Sequence, residues 1–229
     1  VSIFTGIPFF EGINPEHAAK YEKKCARKRF SEGELLVDFD DSSADVFFII
    51  SGEVRVLNRT AAGKEMIIGD YGAGKFFGEM AAIDGAQRSA NVTAITNSEV
   101  LSVPAKIFYE IVLSNREICD RLLKILTLHV REINTRLFER TVLDIRYRLY
   151  SELLRMSSPR KGHDGQAIIS PPPYQHDLAA RIGCRREQVN RELTIMTEDG
   201  LVEKNKGGLV LPRPKILQQQ VKEAMSTEE

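Results

Sequence analysis

Cysteine is scarce in this 229-residue chain. Cys25, Cys119 and Cys184 are odd in number, far apart and outside CxxC spacing, so the sequence offers neither a disulfide frame nor a zinc or iron–sulfur pattern. The four histidines are scattered, and no metal site is expected. No apolar run reaches the ~18 residues of a membrane span. The first ten residues lack a basic leader followed by a long apolar core. A cytoplasmic protein without a membrane partner is the expectation, and Val1 in place of a starting methionine suggests residues upstream. Net charge is also lacking: 32 Lys and Arg balance 32 Asp and Glu. Any nucleic-acid surface must therefore arise from local clustering, because binding phosphates rests on Lys and Arg. No gathering of nucleophile, base and oxyanion donors can be picked out, which speaks against an enzyme.

What is present fits an ordinary globular balance, 42% hydrophobic and 28% charged, at a length natural for two domains. The expected fold class is α+β, in three segments. Over 1–103, short apolar or alternating runs broken by glycine predict a compact all-β unit from about Ile13 to Val103. Ser51-Gly52-Glu53 and Ala62-Gly63-Lys64 read as turns, and Asn14-Pro15-Glu16 as a helix start. Over 104–156 glycine disappears, and Leu123, Leu126, Val130, Ile133 and Leu137 follow the 3-4 spacing of a heptad seam on a long helix. Leu122, Ile125 and Leu128 lie on other faces and are expected to pack against the β unit. A homodimer is expected across the seam, an ordinary core helix being the alternative.

The third segment, 157–229, opens with a turn-rich loop at 157–165. A short strand at Ala167-Ile168-Ile169 follows, then Pro171-Pro172-Pro173, a helix from about Tyr174 to Arg181 with the last proline in its first turn, and a break at Gly183. A second helix runs from Arg185 to about Glu198, with Val189, Leu193 and Met196 on one face. A hairpin turned at Gly207-Gly208 and a C-terminal tail complete a winged helix-turn-helix outline.

Two short runs carry the chemistry. Phe77-Gly78-Glu79-Met80, with Arg88-Ser89-Ala90 a few residues on, supplies what a phosphate held without metal requires: a cation, a small hydroxyl, and small residues that let backbone N–H groups approach. Arg88 takes the charge-assisted contact and Ser89 a hydroxyl contact, with N–H groups near Gly78 and Ala90 closing the cradle. Glu79 would repel a phosphate, so its useful place is one sugar away, accepting from a ribose hydroxyl. A surface salt bridge between Glu79 and Arg88 is the plainer alternative. The second run, Arg185 to Arg191, begins a helix with donors for guanine at Arg186 and Arg191 and an acceptor for cytosine at Glu187. Gln188 and Asn190 stand among them. Arg185, Arg181, Lys204 and Lys206 are assigned to backbone phosphates. The plainer alternative is a solvated helix with Glu187 and Arg191 as an i,i+4 pair.

With those residues in place, the chain resembles the cyclic-AMP receptor protein (catabolite activator) and fumarate–nitrate reductase regulator family over nearly its whole length, closest to the cyclic-nucleotide-binding branch. The resemblance implies a cyclic-nucleotide-binding β-roll, a long dimerisation helix and a C-terminal winged helix-turn-helix. It implies a cyclic 3′,5′-nucleotide, cyclic AMP, on Gly78, Glu79, Met80, Arg88, Ser89 and Ala90, and no metal. It places Ile133 and Asn134 at the family's usual Thr-Ser pair, which reaches the neighbouring subunit's ligand, and His129 where an arginine is usual. It implies a palindromic TGTGA-like double-stranded DNA site and RNA polymerase as a partner. Ile133 cannot hydrogen-bond, whereas the Asn134 amide both donates and accepts, so cyclic GMP is expected to bind beside cyclic AMP. Two alternatives remain: a nucleotide-binding module for a kinase or channel, which would lack the winged helix, and a redox or haem sensor, which would need cysteines or axial ligands near the β-roll, where only Cys25 lies.

Overall fold

The computed structural model describes residues 2–60 and 63–226. Val1, Ala62 of the second expected turn and the end of the 157–229 segment lie outside them. The chain forms two compact units, Val1–Val130 and Arg131–Glu229, where the sequence reading set three segments.

In the first unit two antiparallel four-stranded sheets face one another. One joins β1 (Ala26–Phe30), β8 (Ser98–Val103), β3 (Val46–Ser51) and β6 (Phe76–Phe77) in that order. The other joins β2 (Leu35–Val37), β7 (Asn91–Ala94), β4 (Glu53–Arg59) and β5 (Glu65–Gly72). Period-2 alternation explains the arrangement: Phe47, Ile49, Val54, Val56, Phe77, Val92 and Val100 turn inward and cluster between the sheets. The Gly52 turn links β3 to β4 across the two sheets rather than closing a hairpin within one. Phe48, Phe76 and Leu101 point the other way, into a second cluster with Phe9, Phe10, Phe108 and Ile118. Helix α1 (Pro15–Glu22) starts as expected, with the Asn14 side chain accepting from the Glu16 N–H at 2.9 Å. The unit is not purely β, since the short helix α2 (Glu79–Asp84) interrupts it.

The expected long helix with its seam is α4 (Arg116–Val142), and the rest of the 104–156 region forms two shorter helices, α3 (Ala105–Ser114) before it and α5 (Ile145–Met156) after it. Asn115 and Asp144 take extended backbone and break the run. On α4, Leu122 is buried, and Ile125 and Leu126 pack partly against the first unit's core. Leu128, expected to pack there as well, is 63% exposed. The other seam residues, Leu123, Val130, Ile133 and Leu137, are each more than half exposed. Across 27 residues α4 supplies side chains to both units.

The second unit builds one core from α5, β10 (Ala167–Ile169), α6 (Gln175–Ile182), α7 (Arg186–Glu198), β12 (Gly208–Leu211) and α8 (Pro214–Ser226). Strands β9 (Ser158–Pro159) and β11 (Glu203–Asn205) complete a small antiparallel sheet in the order β11-β12-β10-β9. Gly183 ends α6 in the left-handed region, as a C-cap glycine does. Pro173 precedes the cap residue Tyr174 and is not in the helix. Gly208 already pairs with Asn205, so the hairpin turns one residue earlier than expected, at Lys206-Gly207. The residues expected to be a C-terminal tail form α8, anchored by fully buried Leu217.

Candidate ligand and DNA sites

Gly78 stands between β6 and α2 with φ 86°, a conformation that disfavours any side chain. A Cβ there would also lie 2.7 Å from Arg88 Nη1 and 2.8 Å from the Asp45 carbonyl oxygen. Glycine is therefore required twice, by backbone angle and by the close approach of Arg88. The first N–H groups of α2, just beyond it, have no acceptor within the helix.

Arg88 is 3% exposed. Its Nη1 donates to the Gly78 carbonyl at 3.2 Å, and its Nη2 donates to Ser43 Oγ at 3.0 Å and the Asp45 carbonyl at 2.9 Å. Its Nε is buried and has no hydrogen-bond partner. Ser43 is fixed in turn, its N–H and Oγ donating to the Asp41 carboxylate at 2.8 and 2.9 Å. These bonds hold the Asp41 carboxyl below its ordinary value. Ser102 Oγ donates to Asp45 Oδ2 at 2.7 Å, tying the same loop to β8. Burial lowers the Arg88 guanidinium's pKa while Asp41, Asp45 and Glu79 oppose the shift, and an arginine remains charged throughout.

Glu79 is buried, and its burial raises the carboxyl's pKa against the pull of its own backbone N–H, His129 and Arg88. Among the described residues no ion pair joins Glu79 to Arg88, so the surface salt bridge is not what holds them. Ser89 is exposed, its Oγ donating to the Met80 sulfur at 3.6 Å, while Met80 is 53% exposed and Ala90 is buried. From α4, the His129 ring stacks on Tyr71 of β5 at 6.4 Å between centroids. Gly78, Glu79, Arg88, Ser89, Ala90 and His129 thus share one unit, with Ile133 and Asn134 exposed further along α4. The loop residues Asp41, Ser43 and Asp45 were missed, since a serine among acidic residues carries no phosphate signal by itself. Burial, then Asp45 and Glu22, push the Cys25 thiol up to about 11, so it stays protonated at neutral pH.

In the second unit, α7 buries Val189, Leu193 and Met196 and exposes Arg186, Glu187, Asn190 and Arg191. Gln188 turns back to accept from the Arg185 N–H at 3.0 Å, capping the helix rather than projecting freely. Arg191 lies 3.7 Å from Glu192, not paired with Glu187, and Glu192 is held by Arg146 at 3.1 Å. Glu187 is therefore not committed to an i,i+4 pair. Arg185, Lys204 and Lys206 are exposed at the start of α7 and on the β11–β12 hairpin.

Arg181 is a correction. Instead of reaching DNA phosphates it is 8% exposed, with Nη1 3.4 Å from Glu152 Oε1. Glu152 is itself 2% exposed and is also bonded by Arg155 at 3.0 Å, so a buried carboxylate recruits the cation inward. Among the described residues no group of three His, Cys, Asp or Glu gathers to hold a metal, and no helix is long and apolar enough to cross a membrane.

Comparison with known proteins agrees with this division. Residues 27–115 match the cyclic nucleotide-binding domain family, and residues 147–220 match the Crp-like helix-turn-helix domain family. Over 196 residues the chain is 29% identical to the cAMP-activated global transcriptional regulator Vfr of Pseudomonas aeruginosa, covering 82% of this chain and 89% of that one. Over 217 residues it is 25% identical to the cyclic AMP receptor protein of Thermus thermophilus, covering 93% and 96%. A mutant of CooA from Carboxydothermus hydrogenoformans shares the fold with a TM-score of 0.74 at 19% identity, over 87% of this chain and 88% of that one. The c-di-GMP responsive regulator CLP of Xanthomonas campestris shares it at 0.71 and 20%, over 86% and 99%. Fold and sequence together define a DNA-binding transcription regulator with a cyclic nucleotide-binding domain. The chain belongs to the cyclic-AMP receptor protein and fumarate–nitrate reductase regulator family.

Proposed function

We propose that the chain is a homodimeric regulator in which a cyclic 3′,5′-nucleotide, cyclic AMP or cyclic GMP, switches on binding to a palindromic TGTGA-like site. The observation that carries the reading is the Arg88 guanidinium: buried, positively charged, and keeping one N–H donor unsatisfied beside the left-handed Gly78. A buried donor without a partner costs about 1–3 kcal/mol, and in this reading the loop around Arg88 shifts on binding so that a phosphate oxygen meets it. In this reading Ser89 and the N–H groups near Gly78 and Ala90 complete the cradle, and Glu79 accepts from the ribose. His129 lies beside the sugar, Met80 borders the site, and Ile133 and Asn134 serve the base of the partner's ligand. Two copies meet through Leu123, Leu126, Val130, Ile133 and Leu137 of α4, a row exposed at every position but the half-buried Leu126, which favours a helix partner.

Arg186, Glu187 and Arg191 read bases, with Gln188 and Asn190 alongside, while Arg185 and Lys206 hold phosphates. Nucleotide binding favours the state in which the two recognition helices match successive major grooves, and the DNA-bound dimer recruits RNA polymerase. Calorimetry with cyclic AMP and cyclic GMP, on wild type and Asn134→Ala, tests the ligand half. Similar affinity for both in the wild type, with the substitution weakening both, is expected. Strong rejection of cyclic GMP, or no effect of the substitution on either, would place base reading elsewhere.

A further inference from the structure

We propose that Gln175, which lies outside the recognition helix, fixes which base Asn190 accepts. Asn190 is exposed on α7, three residues after Glu187 and four after Arg186, so it shares their face. A freely turning asparagine presents a donor and an acceptor side by side, and that pattern matches adenine through N6 and N7. Asn190 does not turn freely. Gln175, the first residue of α6, reaches across to α7, and its Nε2 donates to Asn190 Oδ1 at 2.9 Å. The two helices are packed together by Leu178, Ala179 and Ile182 against Val189 and Leu193, so the positions from which the two amides project are held by the core.

Holding Oδ1 leaves Asn190 to meet the groove with Nδ2, a group that only donates. Donors complement guanine, whose O6 and N7 both accept, and they oppose the amino group that adenine presents at N6. The pair therefore converts a residue suited to adenine into a reader of guanine. The inference rests on the DNA-binding reading above and adds to it a specificity residue supplied by the first helix of the motif.

Selection from a random duplex library in the presence of cyclic nucleotide, with wild type, Gln175→Ala and Asn190→Ala, tests it. Wild type should prefer G·C at one base pair per half-site by about 10-fold, the effect of ~1.4 kcal/mol that one good base contact supplies. Asn190→Ala should lose that preference there and nowhere else. Gln175→Ala, with Oδ1 released, should move the same pair toward A·T. Replacing the guanine by 7-deazaguanine, which lacks the N7 acceptor, should weaken wild type and spare Asn190→Ala. A wild-type preference for A·T at the Asn190-dependent pair, an unchanged profile for Gln175→Ala, or indifference to 7-deazaguanine would each overturn the proposal while leaving DNA binding in place. Failure of wild type to enrich any sequence is a different outcome and would remove both readings together.

Discussion

An arginine that is 3% exposed needs a reason, because charged side chains are rarely buried unless paired. Arg88 answers with hydrogen bonds to two carbonyls and one hydroxyl, all neutral acceptors, while Asp41, Asp45 and Glu79 favour its charge from nearby without an ion pair among the described residues. Arg88→Ala should keep the fold and lose about 1.5–3 kcal/mol of nucleotide binding for the charged hydrogen bond alone, with more for the uncompensated phosphate. Calorimetry checks it, and unchanged affinity would refute the assignment. On α7 the residue-scale question is reading against positioning. Glu187→Ala should relax discrimination at one base pair by about 1–3 kcal/mol with little change in salt dependence, whereas Lys206→Ala should weaken all sequences alike and reduce the salt slope by about one. Equal weakening of every sequence by Glu187→Ala would make that residue a positioning one. The candidate residues Gly78, Arg88, Arg186 and Glu187 could be picked out of the sequence because the pattern that singles them out is local. The Asp41–Asp45 loop was not, because its role comes from spatial closeness to Arg88, more than forty residues on in the chain.

Elements divide by the strength of their own signals. Helices α6 and α7 fall within a residue of the expected bounds, since a glycine break and a 3.6-residue apolar period mark them. Helix α2 has six residues, too few to show a period, and was read as part of the β unit. The long helix α4 was legible from its seam, but its ends were not, because the breaks at Asn115 and Leu143-Asp144 carry neither glycine nor proline. Arg181 shows the same limit, because the carboxylate that buries it sits 29 residues away on another helix. Arg181→Ala should cost about 3 kcal/mol in denaturant unfolding, the low end for breaking a buried pair, as Arg155 still faces Glu152. The salt slope of DNA binding should not move, because no phosphate contact is lost; a slope lower by about one would restore Arg181 to the DNA face. On α4, Leu137→Glu places a charge in the exposed row and should shift the sedimenting species from dimer to monomer. A dimer that survives it unchanged would put the interface elsewhere.

At the scale of the whole molecule, a net charge of zero and a DNA-binding domain are compatible because charge is placed rather than summed. Arg185, Arg186, Arg191, Lys204 and Lys206 are exposed along α7 and its hairpin, whereas acidic residues such as Glu139, Glu152 and Glu192 are buried against arginines. The two units have separate chemistry, and α4, which contributes to both, is the covalent route between them. A ligand shifts such an equilibrium only by its differential affinity for the two states, so binding and switching must be measured apart. The most direct measurement is titration of a fluorescent TGTGA-type palindromic duplex with wild type and Arg88→Ala, at fixed salt, with and without saturating cyclic AMP. The account predicts that the nucleotide tightens wild-type binding by about 10-fold or more, the ~1–3 kcal/mol typical of allosteric coupling, and leaves Arg88→Ala unchanged. Equal wild-type affinity with and without nucleotide, or the same enhancement in Arg88→Ala, would contradict it.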